Sequence, residues 1–354
     1  MPKKKRKTDR KKMKLKTKNG LFLPILLLMG FSLLLGNLYF AMAANEVTIT
    51  GTVTIGNASP TAASVEIVNS TYHIVTSWLP NNTDIFGVNV TISDSNNLAD
   101  IYNITWYIFD ESVHGDSGGN DWDSAPATGY DLTIVTWNES NGLWSIDQGS
   151  FTEWTMQNGT GDDCVDVGCS TVTTFEFSAQ FDISYAAFAD TDWNATVIVY
   201  DDQDATDTAV SGSVFTMSNY FSITIDNSAQ VWGTVASSST NNTATTNRTI
   251  SITANAQWEL RIRADDMTAS AEPSVDLDTV DAVVWSDTAI EGQATSLWFR
   301  NSYVTALGTW DNQARMTTET ALTRTYHAWF TDTGDFAPTK EYTCLMYVLI
   351  QANT

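Results

Sequence analysis

From Val47 onward the chain alternates: apolar residues take every second position, and Thr, Ser or Asn fills many of the places between. Val47, Ile49, Val53 and Ile55 share one face of an extended segment. Phe86, Val88, Val90 and Ile92 repeat the pattern, as do Ile104, Trp106 and Ile108, then Trp193, Ala195, Val197 and Val199. A period of two marks a strand with one buried face, because successive side chains point to opposite sides of a sheet. No apolar stripe of period 3.6 follows the first 43 residues, which argues against a helical body. Clusters such as Ser93-Asp94-Ser95-Asn96-Asn97 and Asp201-Asp202-Gln203-Asp204 bound the runs and supply turn chemistry. Many short strands separated by such turns predict an all-β fold of antiparallel β-sandwiches, immunoglobulin-like in kind.

The length after the alternation begins is enough for two such units with sizeable cores. The first is expected over 45–218, long for a single sandwich, with the excess in an Asp-, Trp- and Gly-rich insertion from Glu111 to Gly161. The second is expected over 220–354, opening on Tyr220-Phe221-Ser222-Ile223-Thr224-Ile225. It closes on Tyr342-Thr343-Cys344-Leu345-Met346-Tyr347-Val348-Leu349-Ile350, a segment apolar on both faces. Such a strand is expected either at the centre of a sandwich or against a neighbouring subunit.

Residues 1–43 are different in kind. Of the 18 basic residues, 11 lie between Lys3 and Lys18, directly before a charge-free apolar run from Leu21 to Ala43. From Ala44 to Thr354 seven Arg or Lys stand against 40 Asp or Glu, a formal charge of −33. A basic flank held on the cytoplasmic side of an apolar segment delivers the rest of the chain to the outside. The segment is expected to be a signal peptide cleaved after Ala43, since Ala41-Met42-Ala43 fits a small-x-small site and Pro24 and Gly36-Asn37 shorten the helix. An uncleaved transmembrane anchor is the alternative, because roughly 20 apolar residues suffice to span a bilayer. The protein is thus expected to be extracellular or at the cell surface. With no Lys or Arg between Ala44 and Arg248 against 26 acidic residues, a nucleic-acid partner is excluded, because neutralising phosphates needs clustered cations.

Export frames the minor features. Cys164 and Cys169 are expected to close a small disulfide loop, with a metal–thiolate pair as the alternative, and Cys344 is left as a buried thiol. Glycosylation triplets stand at Asn69, Asn81, Asn89, Asn103, Asn138, Asn158, Asn194, Asn241 and Asn247; a tenth, at Asn57, is a poor acceptor beside Ser59-Pro60.

In the second unit Trp258-Glu259-Leu260 is a Trp-x-Leu triplet. The closing Tyr342 and Tyr347-Val348-Leu349 follow a Tyr-x4-Trp-x-Leu pattern with Tyr in place of Trp. Over roughly 220–354 the chain resembles the WxL-type surface domain of exported cell-wall proteins. The resemblance implies attachment to an envelope polymer, with Trp258, Leu260, Tyr342, Tyr347 and Leu349 as the envelope-binding residues. The structural reading of the same residues is core packing.

The insertion offers two further chemistries. Asp110, Asp116, Asp121 and Asp123 stand close together beside glycines and could supply oxygen ligands to calcium; otherwise no cofactor is expected. Asp201, Asp202, Asp204 and Asp207 form a second acidic turn. Trp122 and Trp144, next to turn residues, are the expected exposed platforms for a sugar ring. Catalysis is not expected: His73, His114 and His327 are the only histidines, and no nucleophile motif or phosphate-binding glycine loop accompanies them. The expectation is a non-enzymatic cell-surface protein, structural or adhesive, whose partner is an envelope polymer or an identical subunit. The alternatives are a carbohydrate-binding protein that uses the Trp-rich insertion, and a subunit of a surface layer or filament.

Overall fold

The computed structural model describes residues 56–81, 83–115, 121–160, 172–226, 229, 231–236, 242–270, 272–277, 283–286, 297–298, 304–305, 313–330 and 340–353. The Leu21–Ala43 run, the Val47–Ile55 alternation and the Cys164/Cys169 pair therefore lie outside the described residues. Contacts group Asn57–Thr354 into one unit, and the fold within it is nearly all β. The first strands are β1 (Thr61–Asn69), β2 (Ser77–Trp78), β3 (Ile85–Ser93) and β4 (Ile101–Asp110). A four-residue helix, α1 (Glu111–His114), comes after them. Next are β5 (Leu132–Asn138), β6 (Leu143–Asp147), β7 (Thr155–Thr160), β8 (Thr174–Asp182), β9 (Asp190–Asp201), β10 (Thr206–Val210) and β11 (Phe215–Met217).

These strands form two sheets. One runs β1-β3-β8-β7; the other runs β2-β11-β9-β4-β5-β6, with β10 also on β9. All pairs are antiparallel except the short β2–β11 contact. A single apolar core lies between the sheets, and the alternation places it there. Val88, Val90 and Ile92 of β3 meet Ile104, Trp106 and Ile108 of β4 and Ala195, Val197 and Val199 of β9, all buried. Aromatic rings tie the layers together. Trp137 of β5 meets Phe177 of β8 edge-on at 5.3 Å, and Trp78 packs against Phe86, Phe181 and Phe215 at 4.4–5.8 Å. The outer face of β4 is covered too: Tyr107 and Phe109 carry Trp122, which a 3-10 turn over Asp121–Asp123 folds back onto the sheet.

The remaining strands are β12 (Phe221–Ile225), β13 (Asn242–Thr243), β14 (Arg248–Ala254), β15 (Trp258–Ala264), β16 (Met267–Ala269) and β17 (Glu272–Leu277). They continue with β18 (Val283–Ser286), β19 (Leu297–Trp298), β20 (Val304–Thr305), β21 (Leu322–Phe330), β22 (Tyr342–Thr343) and β23 (Met346–Ala352). Their sheets run β12-β14-β21-β18-β19 with β13 on β21, β20-β15-β23, and β17-β16-β22. A second core gathers Ile250, Ile252, Trp258, Leu260, Ile262, Ala328 and Phe330. Among the described residues no strand before Ser218 pairs with a strand after it.

Side chains and loops join the two strand sets instead. The Asn255 amide donates to the Ala187 carbonyl at 2.8 Å and the Ser218 carbonyl at 3.0 Å, and its Oδ1 accepts from the Tyr220 N–H. Glu319 reaches across to the loop before β7. It accepts from the Thr152 N–H at 2.8 and 2.9 Å, the Thr152 hydroxyl at 2.9 Å and the Glu153 N–H at 2.8 Å, while the Tyr185 hydroxyl donates to its backbone carbonyl. Arg315 lays its guanidinium 3.0 Å from the centre of the Phe188 ring. Burial lowers its pKa, and the carboxylates of Asp110, Asp131 and Asp190 pull the other way and hold its charge.

Candidate functional site

The register of β15 against β23 decides what the Trp-x-Leu triplet can do. Trp258 pairs with Ala352, Leu260 with Ile350 and Ile262 with Val348, so these residues share the inner face of the sheet. Trp258 and Leu260 are fully buried there, and the indole N–H donates to the Ala314 carbonyl at 3.2 Å. The expectation that they touch an envelope polymer is corrected: both are core residues, because the period of two turns them inward with Ile262 and Ala264. Tyr347 pairs with Arg263 and Leu349 with Arg261, which puts the second motif on the opposite, outer face. Tyr342 stands apart on β22, half-buried against the second core. The two motifs thus do not make one surface.

The outer face has its own chemistry. The Glu259 carboxylate takes Arg261 at 2.6 Å and also accepts from the Gln351 amide at 2.5 Å. The Arg263 guanidinium sits 3.8 Å over the Tyr347 ring and donates to Asp265 at 2.9 Å. The Tyr347 hydroxyl donates to the same carboxylate at 2.9 Å, and that bond raises its pKa. Beside this polar ladder stand two exposed apolar side chains, Leu345 at 64% and Leu349 at 36%. Cys344, free of any disulfide and half-buried, has its thiol pushed up to about 11, first by burial and then by Asp265 and Asp266. Of the seven cations in residues 44–354, this face carries two, each matched to an acid. Arg261 and Arg263 belong to no motif in the sequence, although their alternation with Leu260 and Ile262 is a legible two-face signal.

Of the two platforms expected in the Trp-rich insertion, Trp122 is buried and Trp144 is half-buried. Trp122 is buried, stacked on Phe109 with the rings 5.5 Å apart and 6° from parallel, so its expected exposure is corrected. Trp144 lies opposite Trp137 across β5–β6, half-buried against the first core with its indole N–H fully enclosed. A sugar ring needs an accessible aromatic face, and Trp122 offers none.

The acidic residues act in turns. Asp110 is buried and caps α1, its Oδ1 accepting from the Ser112 N–H at 2.9 Å and hydroxyl at 2.6 Å. Its other oxygen is buried without a hydrogen-bond partner, and burial raises its pKa. His114 closes the same helix with Nε2 3.4 Å from Asp131. Asp121 and Asp123 stand on the 3-10 turn with Asp123 exposed, and Asp116 lies outside the described residues. Asp201 is likewise buried; it receives the N–H groups of Gln203 and Ala205 and the Asn57 amide, and so builds the β9–β10 turn. Among the described residues no group of three or more His, Cys, Asp or Glu is placed to hold a metal ion.

Two glycosylation triplets are corrected by burial. The Asn89 amide donates to Glu176 at 2.9 Å and the Asn194 amide to Glu111 at 2.6 Å, so neither nitrogen is accessible in the folded chain. Asn69, Asn81 and Asn138 sit in turns whose third residue, Thr71, Thr83 or Ser140, donates its N–H back to the Asn side chain. Asn103 is half-buried on β4, Asn158 lies on β7, Asn247 is exposed, and Asn241 is outside the described residues. Among the described residues no helix is long and apolar enough to cross a membrane. No protein-family model matches the chain, and no curated protein matches it.

Proposed function

We propose that this is an exported, non-enzymatic protein of the cell surface with a structural or adhesive role. The observation that carries the reading is the charge reversal at Ala44: 11 cations before the apolar run, then none until Arg248 against 26 acids. On this reading 1–43 is a signal or anchor helix, 45–218 an immunoglobulin-like β-sandwich bearing glycans at its exposed triplets, and 220–354 a second, WxL-like sandwich. Support for the sandwich reading comes from the first strand set, whose two antiparallel sheets enclose one core. The envelope contact is the outer face of β15 and β23, where Arg261, Arg263, Tyr347 and Leu349 combine cationic, aromatic and apolar groups. The Trp-x-Leu triplet supports that face from within.

Pelleting with washed host envelopes tests this reading. The parent is expected to sediment with them, and the double variant Arg261→Ala/Tyr347→Ala to stay in solution. Equal pelleting of both would move the contact elsewhere on the molecule.

A further inference from the structure

Three carboxylates meet at one end of the first strand set. Asp94 follows β3, Asp100 closes the 3-10 turn that leads into β4 (Leu98–Asp100), and Asp201 ends β9 directly opposite Ile101. A chain of hydrogen bonds draws the three segments together. The Asn57 amide donates to Asp201 Oδ2 at 2.5 Å, the Asn96 amide to Asn57 Oδ1 at 2.5 Å, and the Asn96 N–H to Asp94 Oδ1 at 2.6 Å. The Asp202 N–H donates to the Asp100 carbonyl at 2.8 Å. Asp94 is buried, at 2% exposure, and both its Oδ2 and the Oδ1 of Asp100 are enclosed without a hydrogen-bond partner. Asp201 is also buried, but its oxygens are taken: Oδ1 by the Gln203 and Ala205 N–H groups, Oδ2 by Asn57. Two unsatisfied carboxylates therefore stand beside a satisfied third, in keeping with the absence of a three-acid metal group among the described residues. Burial raises the Asp100 pKa, and the nearby charges of Asp94 and Asp201 push it the same way.

We infer that Asp94 and Asp100 hold a calcium ion. Enclosed carboxylates side by side need a compensating cation to stay charged. The chain supplies none: no Lys or Arg stands between Ala44 and Arg248, and among the described residues no ion pair reaches Asp94, Asp100 or Asp201. The cation comes from solution, and the donors select it. Two carboxylates balance one divalent ion. The polar groups around them are oxygen donors, the amides of Asn57 and Asn96 included, which suits calcium or magnesium and not a metal that prefers nitrogen or sulfur. Magnesium keeps several waters in a strict octahedron, whereas Asp94 Oδ2 and Asp100 Oδ1 are shut away from solvent, which favours calcium with its larger, irregular shell. Held there, the ion fixes the segment at Asn57 against the turns after β3 and β9. The inference rests on these carboxylates and is independent of the export reading.

Titration calorimetry with calcium chloride, on the whole chain purified from its host and stripped with a chelator, tests it. Saturable binding is expected with a dissociation constant on the order of 10⁻⁴–10⁻³ M, the range of extracellular calcium modules. The melting temperature should rise with calcium and not with magnesium at equal ionic strength. Asp94→Asn and Asp100→Asn should each weaken calcium binding by at least the roughly tenfold that loss of even an outer-shell partner costs. Asp204→Asn, exposed on the β9–β10 turn, should bind as the parent does. In chelator both buried-site variants should melt at or above the parent, because each removes an uncompensated charge, and in calcium they should melt below it. That crossing separates a lost ligand from a damaged fold. No saturable binding up to about 10 mM calcium, a melting response matched by magnesium, or calcium binding unchanged in both variants would each overturn the inference. Calcium binding by a chain that never reaches the cell surface would leave it standing and defeat the export reading instead.

Discussion

Asp110 shows how a residue type read for one purpose serves another. A run of acids beside glycines reads as a cation loop, yet this carboxylate is buried as the cap of α1, with one oxygen unsatisfied. Burial raises its pKa above the ordinary 3.8. The neutral acid is therefore favoured by folding, and the stability it lends is complete below that pH and is lost as pH rises through the folded value. At pH 7 Asp110→Asn should keep the cap and remove the buried charge, so its melting temperature should equal or exceed the parent's. Asp110→Ala should lose about 1 kcal/mol with the cap; thermal melts of both compare the two effects. Cys344 gives a second test at this scale. With its thiol at about 11, the reactive thiolate forms about two pH units above the usual range. Alkylation at Cys344, monitored by mass spectrometry at pH 8, should be slower in the folded chain than after unfolding.

Among the elements, legibility comes from the period of two. The runs at Phe86–Ile92, Ile104–Ile108 and Trp193–Val199 are β3, β4 and β9, and their alternate residues are the core. Alternation names the two faces of a strand but not what covers the second one. Trp122 beside Asp121 and Asp123 reads as exposed, yet the turn that carries it folds back onto Tyr107 and Phe109 of the preceding strand, β4. Asn89 and Asn194 likewise match a local triplet while their burial depends on Glu176 and Glu111 far along the chain. The same logic separates Trp258 from Tyr347. Trp258→Ala should cost about 3–5 kcal/mol through loss of buried contacts and the cavity left behind. Tyr347→Ala, on the outer face, should melt close to the parent; chemical denaturation of both variants measures the contrast.

In the whole molecule the two strand sets are joined by Asn255, Arg315 and Glu319, for which no local sequence signal exists, because the hydrogen-bond partners of Asn255 and Glu319 lie as far as 68 and 167 residues away. Glu319 satisfies three donors of Thr152 and Glu153 at once. Its removal by Glu319→Ala should cost roughly 1.5 kcal/mol or more, since charged acceptors make the stronger bonds. Calorimetry should show one transition in the parent and two resolved transitions in an Arg315→Ala/Glu319→Ala variant. The acidic residues after Ala44 and the basic residues before Leu21 bear on a different question, the proposed export of the chain. The most direct measurement is labelling of intact host cells with a membrane-impermeant amine or carboxylate reagent, and then recovery of this protein. The account predicts that residues after Ala44 are labelled in unbroken cells. Labelling that appears only after lysis would contradict export, and with it the proposed role at the cell surface.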